Sequence, residues 1–395
     1  GLDCPRLQAG DVLNLKGRAV FMRKLLRVGS ASTVWKMLLM FLFSGVTFGA
    51  TGLGAMLLMI LLSSTHLGKD ASAKHGISVS ESSRLGGLAI AIVVIIYIAG
   101  LSAISPYTPG LMRNDDFLYL WGAVFFCCSL GFAEDIKPDF LTPTLRLMAK
   151  FAVFGALFWL APTFIPKSLG ISVIDFLLSV PFLGWALVTV FAVGFINALN
   201  MADGANGLVP GIALASFAVF FAEYGRPMDG ALLFACLIFF FFNVISGWYF
   251  LGDTGSYGLG AVLLGYGLLG VVDGHFSAGF MAALFCYPCT DFLVSITRRW
   301  RAGRSPFSAD NGHLHNRLHQ FIKVRVKSGV MANSLTGLVV SGSTSGVVLC
   351  AYLADVPPSD SELWYLLFAA QVLLYLTTLR YLTSIQPKTQ YADPA

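Results

Sequence analysis

Charged residues are scarce in this sequence of 395 residues. They make up 12% of the chain, whereas 56% of its residues are hydrophobic. A soluble globular chain is about 25% charged, so the composition excludes an ordinary soluble domain. Internal repeats, low-complexity tracts and long soluble insertions are missing as well, and no nucleic-acid partner is expected. The sequence therefore predicts one domain embedded in a lipid bilayer.

Paired cysteines are also missing. The chain has seven cysteines, an odd number, and all but Cys4 fall inside predicted membrane helices, as small apolar residues do. The spacing in "CYPC" at 286–289 resembles a redox or metal motif, but it stands mid-helix beside a proline and has no partner pair. We interpret these cysteines as packing residues.

Long hydrophobic runs are abundant. A hydrocarbon core about 30 Å thick needs about 20 apolar residues per helix, and the runs are continuous rather than alternating with a period of two. We therefore predict an all-α polytopic membrane protein of about eleven transmembrane helices with cytoplasmic catalytic loops. The predicted helices lie near 43–63, 86–105, 117–133, 147–165, 178–196, 207–223, 229–246, 257–272, 276–297, 329–353 and 362–384.

Basic residues set the predicted orientation, because Lys and Arg in short loops favour the cytoplasmic side. The loop 298–328 holds eight of them, which places it in the cytoplasm together with 64–85, 134–146, 197–206 and 247–256. The single membrane domain is assigned to 37–384, and 385–395 to a cytoplasmic C-terminal tail.

The N-terminal segment 1–36 departs from this pattern, because it carries seven basic residues and would lie outside. Three interpretations stay open: an upstream extension, since "MRKLLRVGS" from Met22 resembles a start; a segment along the membrane surface; or a miscounted first helix. Its status is uncertain.

Ionisable residues are nearly absent from the middle of the predicted helices. A transporter needs such residues near mid-bilayer for its substrate and ion pathways. Here the polar residues gather in four predicted cytoplasmic loops. The pair Asp115 and Asp116 looks suitable for chemistry, but it falls in a loop on the opposite side and is set aside on that ground.

The first two loops offer phosphate and cation ligands. In "SRLGGLAI" at 83–90, either Arg84 or the upstream Lys74 could neutralise a phosphate, while the paired glycines bring the backbone close to a ligand. The alternative is that these basic residues only reach lipid headgroups at the start of a membrane helix. In "GFAEDIKPDFLTPTLR" at 131–146, Glu134 and Asp135 repel unless a cation or proton lies between them. A solvated helix cap is the alternative there.

The other loops add a metal ligand, aromatic rings and histidines. Asp253 in "GDTGS" is suited to Mg²⁺ shared with a phosphate, and the aromatic residues before it are suited to stacking on a nucleobase. "GHLH" at 312–315 lies among arginines, so a diphosphate is favoured over zinc, with a positive-inside anchor as the third option. The inventory fits metal-dependent phosphoryl transfer between a soluble nucleotide and a membrane lipid.

Five motifs in order then carry a resemblance: "SRLGGLAI", "GFAEDIKP", "NALNMADGANGL", "FNVISGWYFLGDTGS" and "SPFSADNGHLHNRL". From about residue 74 to 320 the chain resembles the polyprenyl-phosphate N-acetylhexosamine-1-phosphate transferases of bacteria, relatives of the phospho-N-acetylmuramoyl-pentapeptide transferase. The resemblance implies transfer of a sugar 1-phosphate from a UDP-sugar to undecaprenyl phosphate, with release of UMP, as the first step of O-antigen, common-antigen or teichoic-acid synthesis. It implies a multi-pass protein of the bacterial inner membrane, an active site facing the cytoplasm, Mg²⁺ or alternatively Mn²⁺ as cofactor, and leaves a homodimer open.

The resemblance also implies roles for particular residues. Glu134 and Asp135 match the family's acidic pair, Asp203 the central acidic position, and Asp253, with Asp135, the metal site. Substrate-binding roles are implied for Lys74, Arg84, Asn200, Asn206, Asn243, Phe250, Arg304, His313 and His315, with Asn243 and Phe250 at the uracil and the histidines at the diphosphate.

Three positions depart from the family pattern. Glu134 stands where the family usually has Asp, Asn206 where it often has a second Asp, and Asn316 where it often has His. These departures leave the sugar open and make an inactive homologue one rival hypothesis. The other rivals are a phospho-N-acetylmuramoyl-pentapeptide transferase-like enzyme and a non-catalytic transporter of lipid or nucleotide sugar.

Overall fold

A computed structural model describes residues 31–65, 68–70, 82–104, 115–305 and 311–386, and these residues are mostly helical. Lys74 and the terminal segments 1–30 and 387–395 lie outside the described residues. The helices are α1 (Ala31–Ser64), α2 (Gly86–Ile104), α3 (Asp115–Ile136), α4 (Pro143–Leu160), α5 (Ser172–Ser179), α6 (Pro181–Ala202), α7 (Leu208–Tyr224), α8 (Pro227–Ser246), α9 (Gly252–Val272), α10 (Ala278–Leu284), α11 (Cys286–Arg301), α12 (Leu314–Lys323), α13 (Gly329–Ser341), α14 (Val347–Leu353) and α15 (Ser361–Ile385). Two short strands, β1 (Lys69–Asp70) and β2 (Ser82–Ser83), pair in an antiparallel ladder.

Membrane-crossing helices dominate the bundle. Among the described residues, seven are long and apolar enough to cross a bilayer: α3, α4, α6, α8, α9, α15 and the rod 329–353 formed by α13, a π-helical segment and α14. The bent pair α10 and α11 makes an eighth if it is one span. Shorter apolar helices at Gly49–Ser64, Gly86–Gly100 and Leu208–Tyr224 fall on the remaining predicted segments. The chain is a polytopic helical membrane protein, and the count of eleven stays a prediction.

The predicted helix 276–297 is broken in two, with a bend of 75° between α10 and α11. Pro288 causes part of this, because it has no N–H to donate to the carbonyl of Leu284. The hydroxyl of Ser345, in the π-helical segment, donates to that carbonyl instead at 2.7 Å. The break directs α11 towards the histidine loop.

Helix α9 lies at the centre and packs chiefly against α3, α6 and α2. Its start approaches neighbouring backbones closely: a Cβ added at Gly87 would collide with the backbone of Gly255, and one at Gly131 with Asp253. Of the paired glycines of "SRLGG", Gly87 therefore brings α2 against α9, while Gly86 lies against the carbonyl of Phe250 and the ring of Phe239. Neither glycine is among the residues that line the cavity described below.

Polar helix ends meet at one end of the bundle. The carboxyl ends of α3, α6 and α8 lie there together with the amino ends of α4 and α9, because these helices alternate in direction. Asp116 marks the other end of α3, about 28 Å away at 1.5 Å per residue, where it accepts a hydrogen bond from Thr163. The arrangement gathers the residues of four predicted loops around one cavity.

Candidate active site

A cavity of about 560 Å³ lies among these helix ends. Its walls combine carboxylates, two arginines, four amides and one aromatic ring. The lining residues are Arg84, Glu134, Asp135, Pro138, Asp139, Arg146, Asn200, Asp203, Gly204, Ala205, Asn206, Asn243, Phe250, Gly252, Asp253 and Asn333.

Asp135 caps the amino end of α9. Its Oδ1 accepts from the backbone N–H of Asp253 at 2.8 Å, and its Oδ2 accepts from the backbone N–H (2.8 Å) and the hydroxyl (2.6 Å) of Thr254. The first N–H groups of a helix lack partners within it and favour an anion, so a carboxylate from α3 stabilises this end. Gly252 makes the approach possible, since its φ is 72° and a Cβ there would collide with Arg84 and Asp135.

Asp253 is the carboxylate with an oxygen left for the cavity. Asn200 donates to its Oδ1 at 2.7 Å and to the hydroxyl of Ser256 at 2.8 Å. Its Oδ2 lies 4.0 Å from Nη1 of Arg146, which donates more closely, at 3.3 Å, to Glu134. Glu134 is therefore held by an arginine and by the backbone N–H of Leu141 at 2.8 Å.

Asp203 faces the same carboxylates across the cavity. Burial, with the negative charges of Asp253 and Asp135 nearby, raises the pKa of Asp203 to about 8, which Arg84 partly opposes. Arg84 is placed by backbone pairing, since Ser83 accepts from the N–H of Phe250 at 2.8 Å and donates to Trp248 at 3.0 Å. The carboxylates are thus crowded, and added positive charge would relieve them.

Amides form another wall. Asn243 accepts from the backbone N–H of Gly207 at 2.6 Å and donates to the carbonyl of Tyr249 at 2.6 Å and to Asn206 at 3.3 Å. Phe250 follows Tyr249 and also lines the cavity. Asn206 donates through its backbone N–H to Asn333 of α13 at 2.8 Å.

The histidines stand behind the wall rather than on it. His313 Nδ1 lies 2.5 Å from Asp291, and His315 Nδ1 lies 2.7 Å from the hydroxyl of Tyr287. That hydroxyl also accepts from the backbone N–H of His315 at 3.2 Å, so Tyr287 holds both the ring and the backbone of His315 in place. Burial lowers the pKa of His315 to about 4. Its Nε2 packs against Gly204, which does line the cavity.

The structure thus brings most of the sequence-predicted site residues to one cavity. The predicted residues on its wall are Arg84, Glu134, Asp135, Asn200, Asn206, Asp203, Asn243, Phe250 and Asp253. Arg304 is exposed and does not line it, and Lys74 lies outside the described residues. Asn197 precedes Asn200 by about one turn of α6 and is not among the lining residues.

Sequence reasoning missed three residues. Arg146 closes the motif at 131–146 but has no acidic neighbour in sequence. Lys150, one turn further along α4, is buried, donates to Asn197 at 2.7 Å and lies 3.8 Å from the ring centroid of Tyr257. Asn333 lies beside Ser334 in the predicted helix 329–353 and belongs to none of the sequence motifs. Only the spacing of Arg146 and Lys150, four residues apart on one helix face, could have signalled the first two.

The chemistry available to the cavity follows from these contacts. It offers oxygen ligands for a hard cation, arginines for phosphate, and amides beside an aromatic ring for a planar heterocycle. Its position at the ends of apolar helices gives access both to water and to lipid.

Comparison with known proteins identifies a family. Residues 117–272 match glycosyl transferase family 4. A protein of Bacillus subtilis named probable undecaprenyl-phosphate N-acetylglucosaminyl 1-phosphate transferase is 30% identical over 310 residues, which cover 74% of this chain and 77% of that protein. A decaprenyl-phosphate N-acetylglucosaminephosphotransferase of Mycobacterium leprae is 26% identical over 334 residues, 76% of this chain and 81% of the relative.

A second group of relatives matches over less of the chain. A phospho-N-acetylmuramoyl-pentapeptide-transferase of Latilactobacillus sakei is 35% identical over 167 residues, which cover 38% of this chain and 52% of that protein. The similarity to the N-acetylglucosamine group extends over about twice that share.

Proposed function

We propose a reaction for this chain, which belongs to glycosyl transferase family 4 and is a polyprenyl-phosphate sugar-1-phosphate transferase. The proposed substrates are a UDP-N-acetylhexosamine and undecaprenyl phosphate. An oxygen of the lipid phosphate forms a bond to the phosphorus that carries the sugar, the pyrophosphate bond breaks, and UMP leaves. The products are UMP and a sugar-diphospholipid.

The observation that best supports this reaction is the shared cavity. Carboxylates, arginines, amides and Phe250, drawn from the chain between Arg84 and Asn333, line one space of about 560 Å³. A lipid phosphate is already anionic at neutral pH, so it needs positioning more than deprotonation. Arg84 and Arg146 are the cavity residues suited to hold phosphate groups against the nearby carboxylates.

Mg²⁺ is the proposed cofactor, and the donor set fits it. No group of three His, Cys, Asp or Glu side chains meets as a metal site within the described ranges, but Mg²⁺ usually takes one or two carboxylates and shares phosphate oxygens. Asp253 has an oxygen facing the cavity. The pKa of Asp203 is raised first by burial and then by the negative charges of Asp253 and Asp135, and a cation would relieve the repulsion among these carboxylates. When bound, the metal would offset charge on the diphosphate and the departing UMP.

Asp135 receives a different role from the one that the sequence suggested. Both of its oxygens accept hydrogen bonds from the start of α9, so it is a poorer metal ligand and a poorer general base than Asp253. We assign it the positioning of Asp253. Asp253 is therefore our proposed metal ligand, with Asp203 beside it.

The place and pathway are proposals of the same kind. The enzyme acts at the cytoplasmic face of a bacterial inner membrane, where UDP-sugars are available, and begins a cell-surface glycan. An N-acetylhexosamine is favoured over N-acetylmuramoyl-pentapeptide because the Mycobacterium leprae and Bacillus subtilis relatives, which are named for N-acetylglucosamine, match over 76% and 74% of the chain, whereas the Latilactobacillus sakei relative matches over 38%.

A substrate panel tests the proposal. Purified protein would be mixed with undecaprenyl phosphate, Mg²⁺ and each of several UDP-sugars, UDP-N-acetylmuramoyl-pentapeptide included, and UMP would be measured. We expect UMP with an N-acetylhexosamine donor only when lipid and metal are both present. Turnover with the pentapeptide donor alone would favour the rival enzyme class, and absence of UMP with every donor would refute the transferase proposal.

A further inference from the structure

Three asparagines from three separate elements meet at one wall of the cavity. Asn206 lies in the turn after α6, Asn243 near the end of α8, and Asn333 in the second turn of α13. All three are nearly buried and all three line the cavity. Asn333 lies outside every motif that carries the family resemblance and outside the matched residues 117–272.

The hydrogen bonds of these amides differ in what they leave for a ligand. Asn243 uses its oxygen on Gly207 and its amide hydrogens on Tyr249 and Asn206. Asn206 accepts from Asn243 and donates to Ser334 at 3.4 Å. The side chain of Asn243 therefore serves mainly to hold the turn 206–207 in place.

Asn333 is the exception. Its Oδ1 accepts from the backbone N–H of Asn206, a group that can only donate, so the orientation of its amide is fixed. Within the part of the chain that the structure describes, its Nδ2 donates to no other residue. An NH₂ group with both hydrogens unused thus lies on the wall of the cavity.

The position of this donor is rigid. Helix α13 is pressed against the turn 206–207, since a Cβ at Gly337 would collide with the carbonyl of Asn206. Ser334 donates to the carbonyl of Val244 at 2.7 Å, and Ser341 donates to that of Gly207 at 3.1 Å. A donor held in this way accepts little geometric variation in its partner.

The chemistry of such a donor selects carbonyl oxygens. Uracil presents two carbonyl oxygens on either side of a ring N–H, whereas cytosine replaces one of them with an amino group that can only donate. If that amino group faces a fixed NH₂ donor, two donors lie opposite each other and neither has an acceptor. The affinity for the cytidine nucleotide is lowered as a result.

We propose that Asn333 donates to the C4 carbonyl of the uracil ring, the one that cytosine replaces with an amino group, and so sets the preference for uridine over cytidine nucleotides, an inference that rests on the proposed function. Phe250, on the same cavity, would stack on the ring while Asn333 reads its edge. The substitution Asn333→Asp keeps the size of the side chain, keeps an oxygen for the N–H of Asn206, and replaces the donor by an acceptor.

The test uses the full chain in detergent, with UMP and CMP as probes. We expect wild type to bind UMP more tightly than CMP. The ratio of the two affinities should shift towards CMP by about tenfold or more in Asn333→Asp. In Asn333→Ala, UMP should weaken about tenfold while CMP changes little. Ser334→Ala, which loosens the packing of α13 without changing the donor, should leave the ratio as it is in wild type.

Three results would overturn the inference, and they are distinct. If wild type releases UMP from its substrate but the ratio is unchanged in Asn333→Asp, Asn333 does not read the base, and the proposed function still stands. If Asn333→Asp fails to fold, the Asn333→Ala variant decides, and an unchanged UMP affinity there contradicts the inference. If wild type neither turns over nor binds UMP, the proposed function fails and this inference fails with it.

Discussion

Replacing Asp135 separates a structural cap from a chemical base. Its carboxylate, 2% exposed, accepts three hydrogen bonds of 2.6–2.8 Å from Asp253 and Thr254. In Asp135→Asn the amide oxygen can keep the two bonds from Thr254, and the amide nitrogen then opposes the N–H of Asp253. One charge-assisted bond is lost, which costs about 1.5–3 kcal/mol. Asp135→Ala loses all three and should cost roughly 3–6 kcal/mol.

Thermal unfolding in detergent measures this, with turnover followed on the same samples. We expect a lower Tm for Asp135→Asn, a larger drop for Asp135→Ala, and a loss of turnover that follows the displacement of Asp253. Thr254→Val removes one of the donors and leaves the size of the side chain nearly unchanged. Its effect on stability should not add to that of Asp135→Ala, which removes the acceptor of the same hydrogen bond, with a coupling of about 1 kcal/mol between the neighbours.

The opposite pattern would refute the reasoning. If Asp135→Asn keeps the wild-type Tm and loses only kcat, and Asp135→Ala shows no coupling to Thr254→Val, then the carboxylate acts on the substrate. Asp135 would return to the role of base or metal ligand that the resemblance implied.

Three further predictions concern other parts of the bundle. Asp253→Asn should abolish UMP release at an unchanged Tm, whereas the matched change Asp116→Asn at the far end of α3 should leave turnover intact; a large loss there would contradict the location of the site. Lys150→Met should lower the free energy of unfolding by about 1–3 kcal/mol, because the side-chain oxygen of Asn197 loses its 2.7 Å donor, and an unchanged Tm would show that the pair contributes nothing. The pKa of His315 falls from about 6.5 in unfolded chains to about 4 in the folded protein. The free energy of unfolding should therefore be greatest above pH 6.5 and decline as the pH falls towards 4, and the decline should be less steep in His315→Gln. Equal declines in the two proteins would exclude His315 as the source.

The helices could be predicted from the sequence where apolar runs are continuous. The segment predicted at 117–133 is found as Asp115–Ile136, and the one at 229–246 as Pro227–Ser246. Helix boundaries were harder to predict from the sequence where polar residues lie inside a helix. Helix α4 begins at Pro143, capped by Thr142, rather than near 147, because Arg146 belongs to its first turn and lowers the local hydropathy. Helix α9 begins at Gly252 for the same reason.

The residues of the candidate site also differ in how far the sequence predicts them. The carboxylates and amides of the site were predictable because they lie in loops that are dense in polar residues, within a chain that is otherwise hydrophobic. What each one touches was not predictable, because Asp135 meets Thr254, 119 residues further along, only after α3 packs on α9. Asn333 carries no local motif at all, and the histidines of "GHLH" point into a second layer held by Asp291 and Tyr287.

Transfer of the phosphate itself tests the central claim most directly. A UDP-N-acetylhexosamine labelled with ³²P on the phosphate that carries the sugar would be incubated with the protein, undecaprenyl phosphate and Mg²⁺. We predict that label appears in the lipid fraction in a one-to-one ratio with released UMP, and that Asp253→Asn yields neither. Release of UMP with the label left in water would indicate hydrolysis, and passage of intact labelled donor across vesicles without UMP would indicate transport; either result would contradict the transferase.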